Sequence, residues 1–395
     1  MGELDVIIIT LGALLLLGLL GDLVADRLPI PRVTLLVLAG LVLGPAVTDA
    51  LPDGAQDWYP FVSNLALLMV GFLLGGKLSR DTLGRVGRPV FVISVFEVVG
   101  TALLVAAGLI ALGVRPELAL VLGGVAPASA PAAVTNVVQE LRAGGELTDT
   151  LLGVVAIDDA WGLIVFSALL AAAQALGGET GGWEALGHGA RELGGAALVG
   201  LVVGVPAAYV TGRLKPGEPT QSEALGVVLL AGGLAMWMEA SFLLAAMFVG
   251  AIIANLASHH ERPFHEIEHI EWPFMVLFFV LAGASLHLDA LATVGPIALG
   301  YIALRAAGLY AGAYGGGLAA GTPIRTSRWL GAAIMPQAGV ALGMALVAGN
   351  AFPGMRESIL SLVVASTVVF ELTGPILTRL ALVRAGEAGK GTGGV

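Results

Sequence analysis

The amino-acid sequence predicts an all-α polytopic membrane protein of about thirteen transmembrane helices, arranged as inverted repeats with two broken helices. Three observations predict it. The first is composition: of 395 residues, 57% are hydrophobic and only 12% charged, and mean hydropathy is +0.92. A water-soluble core has no use for that much apolar surface. The second is a one-sided distribution of Lys and Arg between the apolar runs. The third is a pair of proline breaks, similarly spaced from charges inside the runs.

Apolar runs separated by Pro, Gly and charged clusters place spans at 4–24, 32–48, 59–76, 88–113, 117–139, 148–176, 190–213, 222–238, 240–258, 272–287, 290–318, 328–349 and 356–383. The cut near Glu239 rests on a very short connection. The first run carries Glu3 and Asp5 instead of a basic leader and has no clear cleavage site, so it reads as a retained helix. The 57 glycines suit close helix packing and broken helices inside a bilayer. With the N-terminus outside, fifteen of the 19 basic residues fall inside and only Arg115, Arg191 and Arg356 fall outside. Arg305 lies within a span. Removing one span would scramble this bias, so the expected location is the cell inner membrane, with the N-terminus out and the C-terminus cytoplasmic.

Five charges stay deep in the spans: Glu97, Asp158, Asp159, Arg305 and Glu371. A charge near the bilayer centre costs at least roughly 2.5–3.5 kcal/mol, so two adjacent aspartates need a reason. Four acids against one base make an anionic interior, which favours a bound cation. Asp22, Asp26, Lys77 and His287 sit at span ends and read as snorkelling or interfacial residues.

Prolines interrupt two spans, Pro127 and Pro131 in the fifth and Pro336, followed by Gln337, in the twelfth. Proline removes a backbone donor and clashes with the preceding turn, which frees carbonyls and exposes half-helix ends. Such backbone is tolerated at membrane depth only where protein buries it or a cavity receives it. Glu97 precedes Pro127 by 30 residues and Arg305 precedes Pro336 by 31; Asp158 follows Pro127 by 31 and Glu371 follows Pro336 by 35. Seven spans separate the breaks, so the two units face opposite ways. Broken helices at matching places of inverted halves point to a transporter site.

Other chemistries fit less well. There are no cysteines, hence no disulfide frame and no thiolate site, and a net charge of −10 provides no surface for nucleic acid. His265, Glu266 and His269 match the H-E-x-x-H zinc-protease pattern. They fall in an expected polar loop, 258–271, where Pro263 and Pro273 leave room for two helical turns and no third ligand is evident. An intramembrane aspartyl protease needs two aspartates from different helices, whereas Asp158 and Asp159 are adjacent. A simple channel would not need broken helices in inverted halves. No cofactor is expected, and no resident metal.

The chain resembles the monovalent cation:proton antiporter superfamily, in the branch of Kef-type and Asp-Asp sodium/proton antiporters. The likeness is carried by Ile157-Asp158-Asp159 with Gly162-Leu163-Ile164, by Val138-Gln139-Glu140-Leu141, and by Met335-Pro336-Gln337-Ala338-Gly339. Phe278-Phe279-Val280-Leu281-Ala282-Gly283 and Glu371-Leu372-Thr373-Gly374-Pro375 add to it. It implies a homodimer whose core repeats occupy 87–180 and 289–385, with the broken helices crossing. Residues 1–86 and 181–288 would form the dimerisation side, and 386–395 a cytoplasmic tail. By resemblance Asp159 binds the cation or proton, Asp158 pairs with a base that is Arg305 here where the Asp-Asp group has Lys, and Ser129 lines the unwound stretch. The soluble regulatory domain of Kef-type proteins is not seen after the last span.

These residues suggest a mechanism. Neighbours on a helix point about 100° apart, so one aspartate can hold Arg305 while the other faces a cavity. Sodium prefers oxygen ligands, which carboxylates, the Ser129 hydroxyl and unwound carbonyls supply. Proton and cation then compete for one carboxylate, and alternating access turns competition into exchange. Glu97 is expected as a second acid beside Arg305. Sodium is the expected cation, potassium the alternative.

Overall fold

The computed structural model describes residues 3–25, 32–52, 58–177, 182–211, 220–257, 261–284, 288–337 and 339–390. Helices α1 (Glu3–Ala25), α2 (Arg32–Leu43) and α3 (Tyr59–Lys77) come first. They are followed by α4 (Arg80–Ala111), α5 (Pro116–Val125), α6 (Pro131–Glu140) and α7 (Glu146–Gly177). Next come α8 (Gly182–Thr211), α9 (Thr220–Trp237), α10 (Phe242–Leu256) and α11 (Glu261–Ala284). The chain closes with α12 (Leu288–Ala320), α13 (Ile324–Ala333), α14 (Gly339–Ala351) and α15 (Arg356–Ala385). Seven of the described helices are long and apolar enough to cross a membrane, and shorter apolar helices lie between them. The surface is apolar to match: Ile8, Leu16, Leu201, Val202 and Leu299 are all exposed, as suits lipid and not water.

By internal contacts the chain forms two compact units, Met1–Gly76 with Gly195–Thr293, and Lys77–Gly194 with Val294–Val395. In the first, α2 packs backbone to backbone on α11. A methyl group at Gly40 would overlap the carbonyl of Val280, and one at Gly283 would overlap that of Val37. Small residues permit this approach, which is how apolar helices gain contact where lipid is as apolar as they are.

The first unit also holds a correction. The expected loop at 258–271 is helical from Glu261 onward, and α11 runs unbroken to Ala284 with Pro273 inside it. Pro263 lies in the first turn, where its missing N–H costs nothing. Phe264 stacks on Phe72 with ring centroids 4.7 Å apart, and Ile267 is buried. That stripe of apolar residues three apart makes the segment a helix. The short joint near Glu239 does separate two helices: Glu239 has φ 54°, and the Ser241 hydroxyl accepts the Leu244 N–H at 3.4 Å to start α10.

The second unit holds both breaks. Backbone between Val125 and Pro131 leaves the helix and re-enters it with Pro131 in the first turn of α6. The second interruption separates Ala333 from Gly339, with Pro336 and Gln337 inside it. Both interruptions fall at the prolines that divide these spans in the sequence. Helix α12 lies antiparallel on α4 through a glycine ladder. A Cβ at Gly308, Gly312 or Gly316 would stand 2.9, 2.8 and 2.9 Å from the Cα atoms of Thr101, Glu97 and Ile93. This ladder brings Glu97 and Arg305 into the same interior.

Candidate cation and proton site

Asp158 and Asp159 sit midway along α7, a 32-residue helix whose middle is almost wholly buried. Their side chains are 1% and 2% exposed, and Glu97, Ser129, Arg305 and Gln337 are 0% exposed. Every one of these belongs to the second unit. Helix α7 packs on both α4 and α5, and a Cβ at Gly124 would stand 2.9 Å from the Cα of Phe166. That fit sets α7 beside the first break.

There the Ser129 N–H, freed from helical pairing, donates to Asp159 Oδ1 at 3.3 Å. The Asp159 N–H donates to Asp158 Oδ1 at 2.8 Å. Nearby, Glu97 Oε2 lacks a hydrogen-bond partner, and the Ser129 hydroxyl faces the Asp158 carboxylate without a well-formed hydrogen bond between them. An unpartnered buried oxygen costs about 1–3 kcal/mol, more when charged, so a group of incompletely paired ones is a place prepared for something that pairs with oxygen. A proton or a hard cation meets that description.

Arg305 differs from expectation. Among the described residues it forms no ion pair with Asp158 or Glu97. Its Nε donates to the Ala126 carbonyl at 2.9 Å, Nη2 to that of Ala128 at 2.8 Å and Nη1 to that of Met335 at 3.1 Å. The guanidinium carbon lies 4.2 Å from the Phe370 ring centroid. The acceptors are carbonyls that the two breaks release, at the negative ends of α5 and α13. A planar fork with several fixed donors suits acceptors converging from two directions, as a single ammonium would not. One arginine thus ties the two broken helices together. Direct pairing of Asp158 with Arg305 is corrected accordingly, although Glu97, Asp158 and Arg305 remain close enough for their charges to act on one another.

Glu97 accepts from the Thr101 hydroxyl at a long 3.5 Å through Oε1. It is neighbour to Arg305, not its hydrogen-bonded partner. Glu371 is buried on α15. The Ser366 hydroxyl donates to Gln337 Oε1 at 3.1 Å, and the Thr378 hydroxyl donates to the Ala333 carbonyl at 2.8 Å, so α15 satisfies part of the second break.

Two residues were missed from sequence. Tyr301, fully buried one turn before Arg305, turns its hydroxyl toward Gln337 of the second break. Lys77, read as snorkelling, lies near enough for its charge to act on both aspartates. Tyr301 falls inside an apolar run and Lys77 at the end of one, and no motif marks either.

The zinc-protease pattern gains nothing from its helix. His265 is 67% exposed and pairs with Glu268 at 3.4 Å. Among the described residues no three His, Cys, Asp or Glu side chains converge as a metal site. His259, His260 and His287 lie outside the described residues.

The chain is similar to the ammonium/H(+) antiporter subunit AmhT of Alkalihalophilus pseudofirmus, 23% identical over 285 residues, which cover 70% of this chain and 69% of that protein. Two solved structures of the sodium proton antiporter MjNhaP1 from Methanocaldococcus jannaschii share the fold. One, at pH 8, has a TM-score of 0.70, 22% identity and 98% coverage of both chains. The other, from electron microscopy, has a TM-score of 0.71, 20% identity and 100% coverage of both. The family model described as sodium/hydrogen exchanger, transmembrane, matches residues 12–383. With nearly all of its length matched, this chain belongs to the sodium/hydrogen exchanger family and is a multi-pass transporter of cations against protons.

Proposed function

We propose that this chain exchanges sodium for protons by alternating access, with Asp159 as the carrier. The observation that carries the reading is the buried cluster in which Asp159 meets the unwound Ser129 backbone beside oxygens of Asp158, Ser129 and Glu97 whose pairing is incomplete. Asp159, Asp158 Oδ2 and the Ser129 hydroxyl would supply the oxygen ligands a dehydrated sodium ion needs. A proton on Asp159 removes the charge that holds the cation, so the two occupy the site in turn. Asp158 adds negative charge without having to pair with Arg305. Pro127, Pro131, Pro336 and Gln337 keep the backbone open, Arg305 holds the two breaks, Glu97 contributes further acid nearby, and Glu371 is the acid of the second repeat. The chain works as a homodimer in the inner membrane, N-terminus out and C-terminus in, with residues 1–86 and 181–288 on the dimer side.

A second cation deserves a test because the curated relative is a subunit of an ammonium/H(+) antiporter. Ammonium would donate hydrogen bonds to the same oxygens. The deciding experiment is a proteoliposome assay with an internal pH dye, pulsed separately with sodium, potassium, lithium and ammonium chloride. Proton movement driven by sodium at concentrations where the others fail supports the reading. A response to potassium or ammonium alone would replace it.

A further inference from the structure

The chain just past α15 makes contacts that the transport site does not explain. Helix α15 ends at Gly386, whose φ of 73° turns the chain back on itself. Glu387 then reaches the start of α7, 240 residues earlier. Its carboxylate accepts the N–H groups of Leu147 and Thr148, both at 2.8 Å, and the Thr148 hydroxyl at 2.7 Å. The Gly144 N–H donates to the Glu387 carbonyl at 3.1 Å, and the Gly389 N–H to the Leu141 carbonyl at 2.9 Å. Arg379 on α15 pairs with Glu140, the last residue of α6, at 2.8 Å. A Cβ at Gly145 would stand 2.6 Å from the Glu387 carboxyl carbon, so the corner between α6 and α7 is shaped around this one side chain.

A helix start exposes unpaired N–H groups with positive partial charge, and a nearby residue of the same segment usually caps them. Here the cap comes from the other end of the chain. We propose that Glu387 is a positioning residue for transport: it sets the start of α7, and with it the register of Asp159 against Ser129. This inference rests on Asp159 being the carrier. Thr148 and Asp159 lie eleven residues apart on one continuous helix, about 16 Å along a stiff rod. Ser129 reaches the same corner through α6, whose end Glu387, Gly389 and Arg379 also hold. One group of contacts therefore controls both sides of the Ser129–Asp159 hydrogen bond.

The test uses the full chain in proteoliposomes, with sodium chloride as the probe and hydrogen exchange measured on the same preparation. Glu387→Ala should speed amide exchange at Leu147 and Thr148 by about 2- to 30-fold, the range for losing a helix cap. It should also raise the sodium half-saturation concentration at least about threefold, with maximal rate within about twofold of wild type. Glu387→Gln, which keeps one acceptor oxygen, should fall between, and it decides by the same two readings if the alanine variant does not fold. Faster exchange with unchanged half-saturation would reduce Glu387 to a structural cap and overturn the proposal. Unchanged exchange would overturn the contact itself. Wild-type protein is measured first: no sodium-driven proton movement overturns the transport reading and this one with it, whereas active wild type with unresponsive variants overturns this one alone.

Discussion

Arg305 offers the sharpest quantitative test, because its hydrogen-bond partners are backbone carbonyls and not a carboxylate. Its three donors engage Ala126, Ala128 and Met335 at 2.8–3.1 Å. A hydrogen bond involving a charged group contributes about 1.5–3 kcal/mol. Lysine can keep one or two of the three from a single point, so Arg305→Lys should lose about 2–4 kcal/mol. Arg305→Met, similar in length but without donors, strands all three carbonyls and should lose about 4.5–9 kcal/mol. The measurement is denaturant unfolding in lipid–detergent micelles, followed by helix content. Asp158→Asn enters as the partner in a double-mutant cycle. If Asp158 and Arg305 were a buried ion pair, breaking it would cost about 3–5 kcal/mol and the cycle would show coupling of that size. The geometry predicts a coupling well below it. A coupling of about 3 kcal/mol or more, or an Arg305→Met variant as stable as wild type, would refute the carbonyl-tie account.

Further outcomes are expected at the site and its scaffold. Asp159→Asn should abolish exchange in the pH-dye assay while Asp158→Asn keeps part of it, since an amide neither balances a cation nor releases a proton; the reverse pattern would exchange their roles. Sodium half-saturation should rise as pH falls, because protons compete for the carboxylate that holds the cation, and a flat profile between about pH 6 and 9 would argue against a shared site. Pro127→Ala or Pro336→Ala should impair transport more than folding by letting the helix close over the break, read as lost exchange with near-normal unfolding. Gly312→Val should destabilise by more than about 2 kcal/mol, because its side chain would have to occupy the space of the Glu97 backbone, and a normal melt would deny the glycine ladder.

Much of this protein could be read from local chemistry. Pro127, Pro131 and Pro336 marked the breaks because proline disrupts a helix through its own ring and missing N–H, wherever the helix sits. Asp158 and Asp159 stood out because charge inside an apolar run is costly in any fold. Composition marked a multi-pass membrane chain for the same reason: transfer into lipid is a property of the segment itself. The start of α11 was misread although its signal was present, since Phe264 and Ile267 stood among enough His and Glu to resemble a loop.

What the sequence could not determine depends on groups that meet from distant parts of the chain. The position of Arg305 within a span was legible, but its choice of carbonyls over Asp158 required Ala126, Ala128 and Met335 to converge on it. Gly308, Gly312 and Gly316 show their four-residue spacing in sequence, yet only packing against Ile93, Glu97 and Thr101 makes them a helix contact. Glu387 had no local sign of importance at all, being one acid in a short polar tail. Its partners lie 240 positions away, and no period or propensity links residues so far apart. Hydrogen bonds act over about 3 Å and depend on direction, so only the folded chain decides which donor meets which acceptor.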